Sequence, residues 1–353
     1  MIEYLRQPDP ATVAAVRELI ANPNGPAKAC GEHDPAWLDI LRDGLGHKTV
    51  GLLTRRGSQV TGYLPLALTR SPLFGRHLVS LPYLNRAGVL ANSDDTAASL
   101  IDAAVRLADQ QAVRYLELRH HGHAIPHDQL GTTRGEKVRM VLDLPDTGQA
   151  LWERLKAKVR NQVRKGDKHG LAIRFGGREL LGGFYSVFAA NMRDLGTPVY
   201  PRRLFSAMLE HLAGRCELVM VTMEGSAIAG AVLIHDRVQG KGITQVPSAS
   251  CLRQFNDTCA NMWMYHKLLE RAVERGASRF DFGRSSEGSG TYRFKKQWGA
   301  EPEATPWQVY LRQGDLDAAR PDHPCNRRRV EAWQKLPVWV TRVLGPQIVR
   351  GIP

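Results

Sequence analysis

Residues 222–232 read TMEGSAIAGAV, and at a constant offset residues 54–64 read TRRGSQVTGYL. The two stretches share Thr, the pair Gly-Ser, a β-branched residue, a second Gly and an aliphatic residue at equivalent positions. In each copy an apolar strand enters a turn that contains Gly and a second strand leaves it, which is typical of a β-hairpin with glycine where φ is positive. The offset matches an ordinary domain size, so the repeat predicts a duplicated α/β domain. A chance match in a glycine-rich chain is the alternative interpretation.

The elements around the two hairpins follow one order. In the first half we predict helices over 10–20 and 35–45, hairpin strands over 50–54 and 60–68, a helix over 94–111 and a strand over 114–118. In the second half we predict helices over 151–169, 178–192 and 201–212, hairpin strands over 218–222 and 228–235, a strand near 242–246, a helix over 256–275 and a strand over 279–282. Asn256 is the predicted N-cap of the last helix, and Gly276 follows its end.

This order resembles the GNAT type of acyltransferase fold, present twice. The predicted fold class is α/β (α+β), with two tandem GNAT-like domains whose mixed sheets are flanked by helices. The predicted divisions are an N-terminal domain over 1–145, a C-terminal domain with the main site over 146–315, and a basic amphipathic tail over 316–353. The boundary between the domains falls at the sequence PDTG of residues 145–148.

Composition narrows the class of protein. The chain has 353 residues and a formal net charge of +13, which favours two domains and an anionic partner such as nucleic acid, an anionic lipid surface or a phosphorylated substrate. Scattered cysteines without CxxC spacing argue against a disulfide framework and a zinc site, and for a reducing compartment. No signal peptide is recognisable, and no apolar run approaches the roughly 20 residues that cross a bilayer. We therefore expect a soluble protein of the cytoplasm.

Residues 280–300 read FDFGRSSEGSGTYRFKKQWGA and carry the strongest functional signal. A short apolar strand leads into a loop rich in Gly and Ser, whose backbone amides can approach an oxygen closely because Gly has no Cβ. The Lys and Arg residues that follow supply full positive charge. We interpret the segment as the active-site strand and loop of a site for phosphate or acyl chemistry. A solvated turn after an edge strand is the alternative, but it leaves the aromatic and basic residues unexplained.

The predicted helix over 151–169 carries a second signal. An apolar residue recurs every four positions and defines a buried face, at Leu151, Leu155, Val159 and Val163. Basic residues recur at the same spacing on another face, at Lys156, Arg160, Arg164 and Lys168, with Asn161 and Lys165 further round. Because like charges four residues apart repel each other, this stripe favours an anionic ligand, with phosphate the natural candidate. A solubilising face is the alternative.

Two motifs carry a resemblance to a known family. Residues 158–171, KVRNQVRKGDKHGL, resemble the helix of the FemAB family whose pattern is R-N-x-[IV]-[RK]-K. Residues 292–299, YRFKKQWG, resemble that family's F-K-x-x-F-G element, with Trp298 in place of Phe. Residues 281–285 and 288–292 are most similar to the branch associated with exosortase (PEP-CTERM) and exopolysaccharide gene systems of Gram-negative bacteria. The resemblance covers most of residues 1–315, although the coiled-coil arm of some peptidoglycan members is missing.

FemAB proteins are tandem-GNAT transferases that add amino acids from aminoacyl-tRNA to peptidoglycan precursors. The resemblance therefore implies an acyl or aminoacyl transferase that forms an amide on an amine-bearing cell-envelope or exopolysaccharide-related precursor. It implies that Phe294 and Lys295 lie at the transfer site, with Lys295 favouring the anionic transition state, and that Arg160, Arg164 and Lys165 hold precursor phosphates. Asp281 completes the predicted catalytic set, either orienting the amine or capping local amides. The other predicted substrate-binding residues are Asn161, Arg284, Ser285, Gly288, Gly290, Tyr292, Lys296 and Trp298.

No bound cofactor and no metal are predicted. An amine that attacks an activated ester needs its oxyanion stabilised more than it needs a protein nucleophile, and the chain has no G-x-S-x-G elbow. His120, His121 and His123 with Glu117 resemble a polar strand end, because a second group of ligands at metal spacing is missing.

The sequence leaves three hypotheses for the function, which differ in the acyl donor and in the class of protein. The leading hypothesis uses aminoacyl-tRNA as the donor and a phosphorylated or lipid-linked glycan or peptide as the acceptor. The second uses acyl-CoA, although residues 245–255, before the long helix, lack the glycines of a pyrophosphate loop. The third is a non-enzymatic anion-binding or nucleic-acid-binding protein, which the charge allows although no binding module is recognisable.

The tail from 326 to 353 mixes basic residues with tryptophan and aliphatic residues, and Glu331 is its one acid. Basic residues and Trp favour an anionic membrane interface. Pro337 and Pro346 break the segment into pieces too short to cross a bilayer. We predict peripheral contact with the inner face of the plasma membrane, and packing of the tail across the two domains is the alternative.

Overall fold

The computed structural model describes residues 2–7, 9–26, 29–72, 74–134, 137–314 and 327–352. Its strands are β1 (Ile2–Leu5), β2 (Lys48–Arg56), β3 (Gln59–Ser71), β4 (Gly75–Val79), β5 (Leu90–Ala91), β6 (Tyr115–Arg119), β7 (Thr132–Arg134), β8 (Lys137–Asp143), β9 (Ala172–Gly176), β10 (Cys216–Met223), β11 (Ser226–Val238), β12 (Lys241–Cys251), β13 (Arg279–Ser286), β14 (Glu301–Glu303) and β15 (Trp307–Leu311). Its α-helices are α1 (Pro10–Ala21), α2 (Ala36–Leu45), α3 (Asp94–Gln110), α4 (Gly148–Arg154), α5 (Ala157–Lys168), α6 (Leu181–Asp194), α7 (Arg202–His211), α8 (Ala260–Glu274), α9 (Gly290–Lys296), α10 (Arg327–Gln334) and α11 (Val338–Val349).

The strands form two mixed sheets. The first has the order β1-β2-β3-β4-β6-β15-β7 with β5 attached to β3, and the second has the order β14-β8-β13-β12-β11-β10-β9. In each sheet a hairpin and a third antiparallel strand are followed by a helix and a parallel strand, namely β2-β3-β4-α3-β6 and β10-β11-β12-α8-β13. The predicted duplication is present as a repeated topology, and the predicted fold class is confirmed.

Both predicted hairpins form. Gly57 and Gly225 lie in two-residue turns with φ of +61° and +78°, a region that costs an L-residue with a Cβ but not glycine. In each hairpin the register shifts close to the turn, because the second strand carries one extra residue there, Thr61 in β3 and Ile228 in β11. The hairpins are longer than predicted, because the second strands continue to Ser71 and Val238.

The two sheets exchange strands. β8 follows the elements of the first sheet along the chain but pairs with β13 of the second sheet. β15 comes from the end of the second half and pairs with β6 of the first sheet. The chain therefore crosses between the sheets after β7 and again after β14, and each half completes the sheet of the other.

Helices cover the faces of both sheets. α4, α5 and α8 pack on one face of the second sheet. α2, α6 and α7 lie between its other face and the first sheet, in a shared core that includes Ala67 of β3 and Val232 of β11. α3 and α1 pack against the first sheet through separate clusters of buried apolar residues.

The prediction of one continuous helix over 151–169 is wrong. Leu155 and Lys156 have extended backbones, with ψ of 139° and 146°, and they separate α4 from α5. The apolar residues at four-residue spacing are nevertheless buried, because both short helices direct them at α8 and the second sheet. Lys156 precedes α5 and is not part of its basic face.

The long helix α8 begins later than predicted. Residues 253–258 form a 3-10 segment, and Cys259 has φ of +59°, so the α-helix starts at Ala260. The hydroxyl of Thr258 accepts a hydrogen bond from the amide of Ala260 at 3.2 Å. The predicted N-cap, Asn256, therefore lies before the helix and does not cap it. Gly276 follows the helix with φ of +72°, as predicted.

The described part of the tail, residues 327–352, folds into α10 and α11 and packs on both halves. Gly345 lies against the backbone of Val199, and Tyr83 of the first half donates to the carbonyl oxygen of Val349 at 3.0 Å. Pro346 lies inside α11 and does not end it, contrary to prediction, because a proline removes one helical hydrogen bond that tertiary packing can offset. The start of the predicted tail, including Asn326, lies outside the described residues. Among the described helices, none is long and apolar enough to span a bilayer.

Candidate functional site

The candidate site lies where β12 and β13 separate. These parallel strands pair only between residues 243–245 and 279–281. β12 then continues along β11, and β13 continues along β8. The register of β13 against β8 shifts between Asp281 and Arg284, and Gly283 in this bulge has φ of +77°. The bulge directs backbone carbonyl groups at the helix that follows.

Lys295 lies on that helix, α9, and points back at the bulge. Ser289 caps the helix, because its Oγ accepts a hydrogen bond from an amide of the first turn at 3.1 Å. The Nζ atom of Lys295 donates to the carbonyl oxygens of Gly283 and Arg284 at 3.1 and 2.9 Å. The residue is 8% exposed. Burial lowers the pKa of its amine to about 8, against the opposing attraction of Asp281.

An ammonium group in this position keeps one donor for a substrate, since it has three and the carbonyls take two. Asn85 approaches from the first half of the chain. A Cβ on Gly283 would lie 3.8 Å from Nδ2 of Asn85 and 4.0 Å from Nζ of Lys295, with nothing nearer. Asn85 of the first half and Lys295 of the second half therefore approach the same side of Gly283, at the junction of the two halves.

Asp281 anchors the bulge through a buried ion network. Its carboxylate accepts from the amide of Gly283 at 2.8 Å and from Nε of Arg139 at 2.6 Å, and it lies 3.6 Å from Nη2 of Arg86. Arg86 also pairs with Glu32 at 2.9 Å. Burial alone would raise the pKa of Asp281, but the two arginines outweigh it and hold the pKa below its usual value. Of the two roles predicted for Asp281, its contacts show the capping of a local amide.

This network joins the two halves of the molecule. Glu32 and Arg86 come from the first half, Arg139 from the exchanged strand β8, and Asp281 from the second sheet. Each of the four side chains is 3% exposed or less. Charges this deeply buried are tolerated only when paired, so the network fixes the position of the bulge relative to the first half.

Arg284 and Arg119 stack on Trp307 of β15. Their guanidinium carbon atoms lie 3.6 and 3.9 Å from the ring centroid of this indole. The indole nitrogen of Trp307 donates to the carbonyl oxygen of Asn85 at 3.1 Å. The exchanged strand thus brings an aromatic platform to the site.

The aromatic residues of the predicted site form part of the core of the second sheet. Phe294 and Trp298 pack against the ring of Tyr265, with centroid distances of 4.9 and 6.4 Å. Tyr292 packs against the same core. These side chains hold α9, and therefore Lys295, against the second sheet.

The other residues predicted from the 280–300 segment have varied surroundings. Lys296 is exposed and pairs with Glu301 at 2.7 Å. Gly288 lies in the turn before α9 and Gly290 begins the helix, and a Cβ on either would meet no described atom within 4 Å. Ser285 is 4% exposed, and its hydroxyl has no hydrogen-bond partner among the described residues.

The basic residues of α5 lie on the side of the second sheet that α8 covers. Arg160 donates to two carbonyl oxygens at the C-terminal end of α4, at 3.3 and 2.7 Å. The guanidinium carbon of Arg164 lies 5.4 Å from the ring centroid of Trp152. Asn161 and Lys165 are exposed. Because α5 and α9 both pack against α8, the stripe and Lys295 share one helix as their support.

Sequence reasoning missed the residues that the first half and the exchanged strands supply: Asn85, Arg86, Arg119, Arg139 and Trp307. Their positions depend on strand pairing that has no local signature. One signal was available for Arg139, because it is a charged residue between the apolar residues Val138 and Met140 of a strand.

The histidines near β6 have no metal-like arrangement. In the described ranges no group of three or more His, Cys, Asp or Glu side chains is placed to hold a metal ion. Glu117 pairs with Arg119 at 2.8 Å. Burial and the nearby charges of Arg86 and Arg139 lower the pKa of His121 to about 3, so this imidazole is neutral at physiological pH.

The stretch that carries α5, β10 to β13 and α9 matches a known domain family. A family model described as an acetyltransferase (GNAT) domain matches residues 153–296. Residues 153–296 form a GNAT acetyltransferase domain. The protein is accordingly a GNAT-type acyltransferase, and Lys295 lies within the matched range. Among curated proteins, none matches the chain significantly.

Several solved structures share the fold of this chain over most of its length. FemX is 14% identical with a TM-score of 0.64, over 88% of this chain and 97% of that chain. L-PGS from Bacillus licheniformis is 13% identical with a TM-score of 0.56, over 96% and 98% of the two chains. A tandem GNAT protein from the clavulanic acid biosynthesis pathway is 13% identical with a TM-score of 0.54, over 89% and 100%. At these identities the likeness shows the fold alone.

Proposed function

We propose that this GNAT-type acyltransferase forms an amide between an activated acyl or aminoacyl group and an amine, with Lys295 stabilising the oxyanion. The position of Lys295 carries the proposal. It is a buried ammonium held by two backbone carbonyls at Gly283 and Arg284, and Asn85 of the first half approaches the same glycine. A preorganised donor in a water-poor site stabilises developing negative charge, and one such donor is worth about 10²–10³ in kcat.

In the proposed step the amine nitrogen of the acceptor attacks the carbonyl carbon of the donor. The C–N bond forms, the C–O bond of an ester donor or the C–S bond of a thioester donor breaks, and the proton lost by the amine leaves with the released hydroxyl or thiol. Lys295 stays protonated throughout and donates to the carbonyl oxygen as negative charge develops. Asp281 contributes by holding the amide of Gly283, and thereby the carbonyls that position Lys295.

The acceptor we propose is an amine-bearing precursor of the cell envelope or of an exopolysaccharide, phosphorylated or lipid-linked. The motifs at 158–171 and 292–299 support it, because they resemble the FemAB family. The motifs at 281–285 and 288–292 support the branch found with exosortase and exopolysaccharide systems. Arg164 and Lys165 of α5 are the proposed phosphate contacts, and Asn161 and Arg160 flank them on the same helix.

Aminoacyl-tRNA is the donor we propose, supported by the same motifs and by the net charge of +13. Acyl-CoA is the second candidate, and the match of residues 153–296 to an acetyltransferase domain favours it. The lack of glycine in residues 245–255 argues against a glycine-rich pyrophosphate loop at that place. The non-enzymatic alternative loses its support, because the matched domain is that of an enzyme.

A donor screen tests this function. Thermal-shift measurements against acetyl-CoA, a charged tRNA pool and undecaprenyl-pyrophosphate sugars identify binding, and mass spectrometry of donor–acceptor mixtures identifies transfer. We expect an acceptor heavier by one aminoacyl residue, formed only with charged tRNA. Transfer from acetyl-CoA alone would select the second candidate, and no amide product with any pair would contradict the proposed function.

The tail is the proposed contact with a membrane, at the inner face of the plasma membrane. α11 packs on the body by one face and exposes Trp339, Val343 and Leu344, which are 70%, 65% and 46% exposed. Exposed basic residues of α10 and the following turn, Arg328, Arg329 and Lys335, lie along the same segment. A helix that presents Trp and aliphatic side chains beside basic ones suits the interface of an anionic bilayer. A lipid-linked acceptor would then be held near the site.

A further inference from the structure

Arg284 is a half-buried cation without a protein counter-ion of its own. No hydrogen bond or ion pair joins its guanidinium group to any described residue, and its Nε is buried without a partner. Burial and the charge of Arg119 lower its pKa to about 10, against the attraction of Glu117. The group still carries its charge at physiological pH.

The neighbouring charges do not neutralise Arg284. Oε1 of Glu117 accepts from both Nε and Nη2 of Arg119, at 2.9 and 2.8 Å. The remaining guanidinium nitrogen of Arg119 donates to the carbonyl oxygens of Leu81 and Leu84. Glu117 is therefore bonded to Arg119, and among the described residues no carboxylate forms an ion pair with the guanidinium of Arg284.

The guanidinium of Arg284 is held in place although it lacks a polar partner. It stacks at 3.6 Å on Trp307, whose indole is held by its hydrogen bond to Asn85 and by the guanidinium of Arg119, 3.9 Å from the ring centroid. A charge that is desolvated, oriented and unpaired is costly unless a ligand completes it. The main-chain carbonyl of the same residue binds Lys295, so the site for such a ligand adjoins the proposed transfer site.

We propose that Arg284, with Trp307 as its platform, binds an anionic oxygen group of the substrate, a phosphate or a carboxylate. The planar guanidinium presents paired donors that fit either group. This inference rests on the proposed function, because only that function makes the ligand a substrate. It adds that the substrate carries an anionic group close to the reacting carbonyl. The basic stripe of α5 is a separate surface, on the side of α8.

Ligand binding tests the site independently of turnover. The wild-type protein is titrated with inorganic pyrophosphate and, separately, with N-acetylglycine, and binding is followed by calorimetry and by tryptophan fluorescence. We expect Arg284→Gln to weaken binding about tenfold or more, the range for a lost hydrogen bond to a charged group. Arg178→Gln is the matched control, because it removes the same charge from an exposed arginine that pairs with Glu210, and it leaves binding unchanged.

Two further variants keep the test decisive. Arg284→Lys retains a cation and should bind less tightly than wild type, because it lacks the planar pair of donors. Trp307→Phe should abolish most of the ligand-dependent change in fluorescence. Binding of pyrophosphate alone assigns a phosphate, and binding of N-acetylglycine alone assigns a carboxylate. Equal binding by wild type and Arg284→Gln, or no binding of either probe, overturns the proposal whether or not the transferase activity is found.

Discussion

Two adjacent lysines on α9 have different environments. Lys295 is buried and bonded to the carbonyls of the bulge, whereas Lys296 is exposed and pairs with Glu301. The resemblance to the F-K-x-x-F-G element selected Lys295, and the structure places that residue, not its neighbour, against the bulge of β13 where β12 and β13 separate. Lys296 is therefore a natural control, one residue away, for any change made at Lys295.

The pH dependence of turnover reports the charge of Lys295. With a pKa of about 8, about nine-tenths of its amines are protonated at pH 7. Because the protonated form is the proposed oxyanion donor, kcat should fall as pH rises through about 8. Lys295→Arg should remove this falling limb, since a guanidinium stays protonated there. If kcat instead rises with pH through about 8, and Lys295→Arg loses that rise, Lys295 acts as a base and not as the oxyanion donor.

The residue types of the site were only partly predictable. Lys295 and Arg284 stand in a segment whose glycine and basic residues marked it from the sequence. Phe294 and Trp298 stood in the same segment, but hydrophobicity alone cannot say whether a ring faces a ligand or a core. Asn85 and Trp307 gave no signal, because their roles come from contacts across sequence separations of about two hundred residues.

At the scale of elements, the helix predicted over 151–169 is broken at Leu155 and Lys156, and the break divides the basic stripe. Sequence periodicity could not reveal this break. Leu155 remains in the apolar pattern while its backbone is extended, so the four-residue spacing continues across two helices. Arg160 then caps α4 and is partly committed to structure. Arg164 and Lys165 are the more available charges of α5.

The element-level prediction concerns acceptor binding by α5. Arg164→Ala with Lys165→Ala should raise KM for a phosphorylated acceptor more than it lowers kcat, because the contact is made equally in ground and transition states. The increase in KM should shrink at high ionic strength, where charges are screened. Arg160→Ala should also lower the melting temperature, since it removes the cap of α4. Steady-state kinetics at two salt concentrations decide, and an unchanged KM in the double variant returns the stripe to a solubilising face.

Element order was more predictable than element ends. Apolar periodicity and turn glycines such as Gly225 predicted the hairpins and most of the helices. The sequence did not predict α9, because its seven residues lie in a segment rich in Gly and Ser. Packing of Phe294 and the cap formed by Ser289 stabilise this helix despite its low helix propensity. Strand exchange was also missed, since short strands such as β15 do not encode which sheet they join.

At the scale of the whole molecule, the buried ion network between the halves should be important for stability. Arg86→Ala leaves Glu32 and Asp281 without a shared partner, and removing one member of a buried ion pair costs about 3–5 kcal/mol. Denaturant unfolding measures the loss. Arg178→Ala, which breaks an exposed pair with Glu210, should cost at most about 1 kcal/mol. Equal losses in the two variants would contradict a structural role for the network.

Membrane contact is a second property of the whole molecule. The full-length protein should sediment with vesicles that contain phosphatidylglycerol at low salt and less so at high salt. Trp339→Ala with Leu344→Ala should reduce sedimentation, because both side chains are exposed on α11. Leu311→Ala, which changes an exposed leucine on β15, is the control. A wild-type protein that stays in the supernatant with anionic vesicles at low salt refutes the proposed contact.

The most direct test of the central claim compares Lys295→Ala with Lys296→Ala in single-turnover amide formation, using the donor and acceptor that the screen identifies. Loss of the oxyanion donor should slow the chemical step by roughly 10² or more in Lys295→Ala, with a far-ultraviolet circular dichroism spectrum like that of wild type. Lys296→Ala should react at nearly the wild-type rate, because that lysine is exposed and paired with Glu301. A folded Lys295→Ala variant that transfers at the wild-type rate would contradict the assignment of Lys295 to the transfer site.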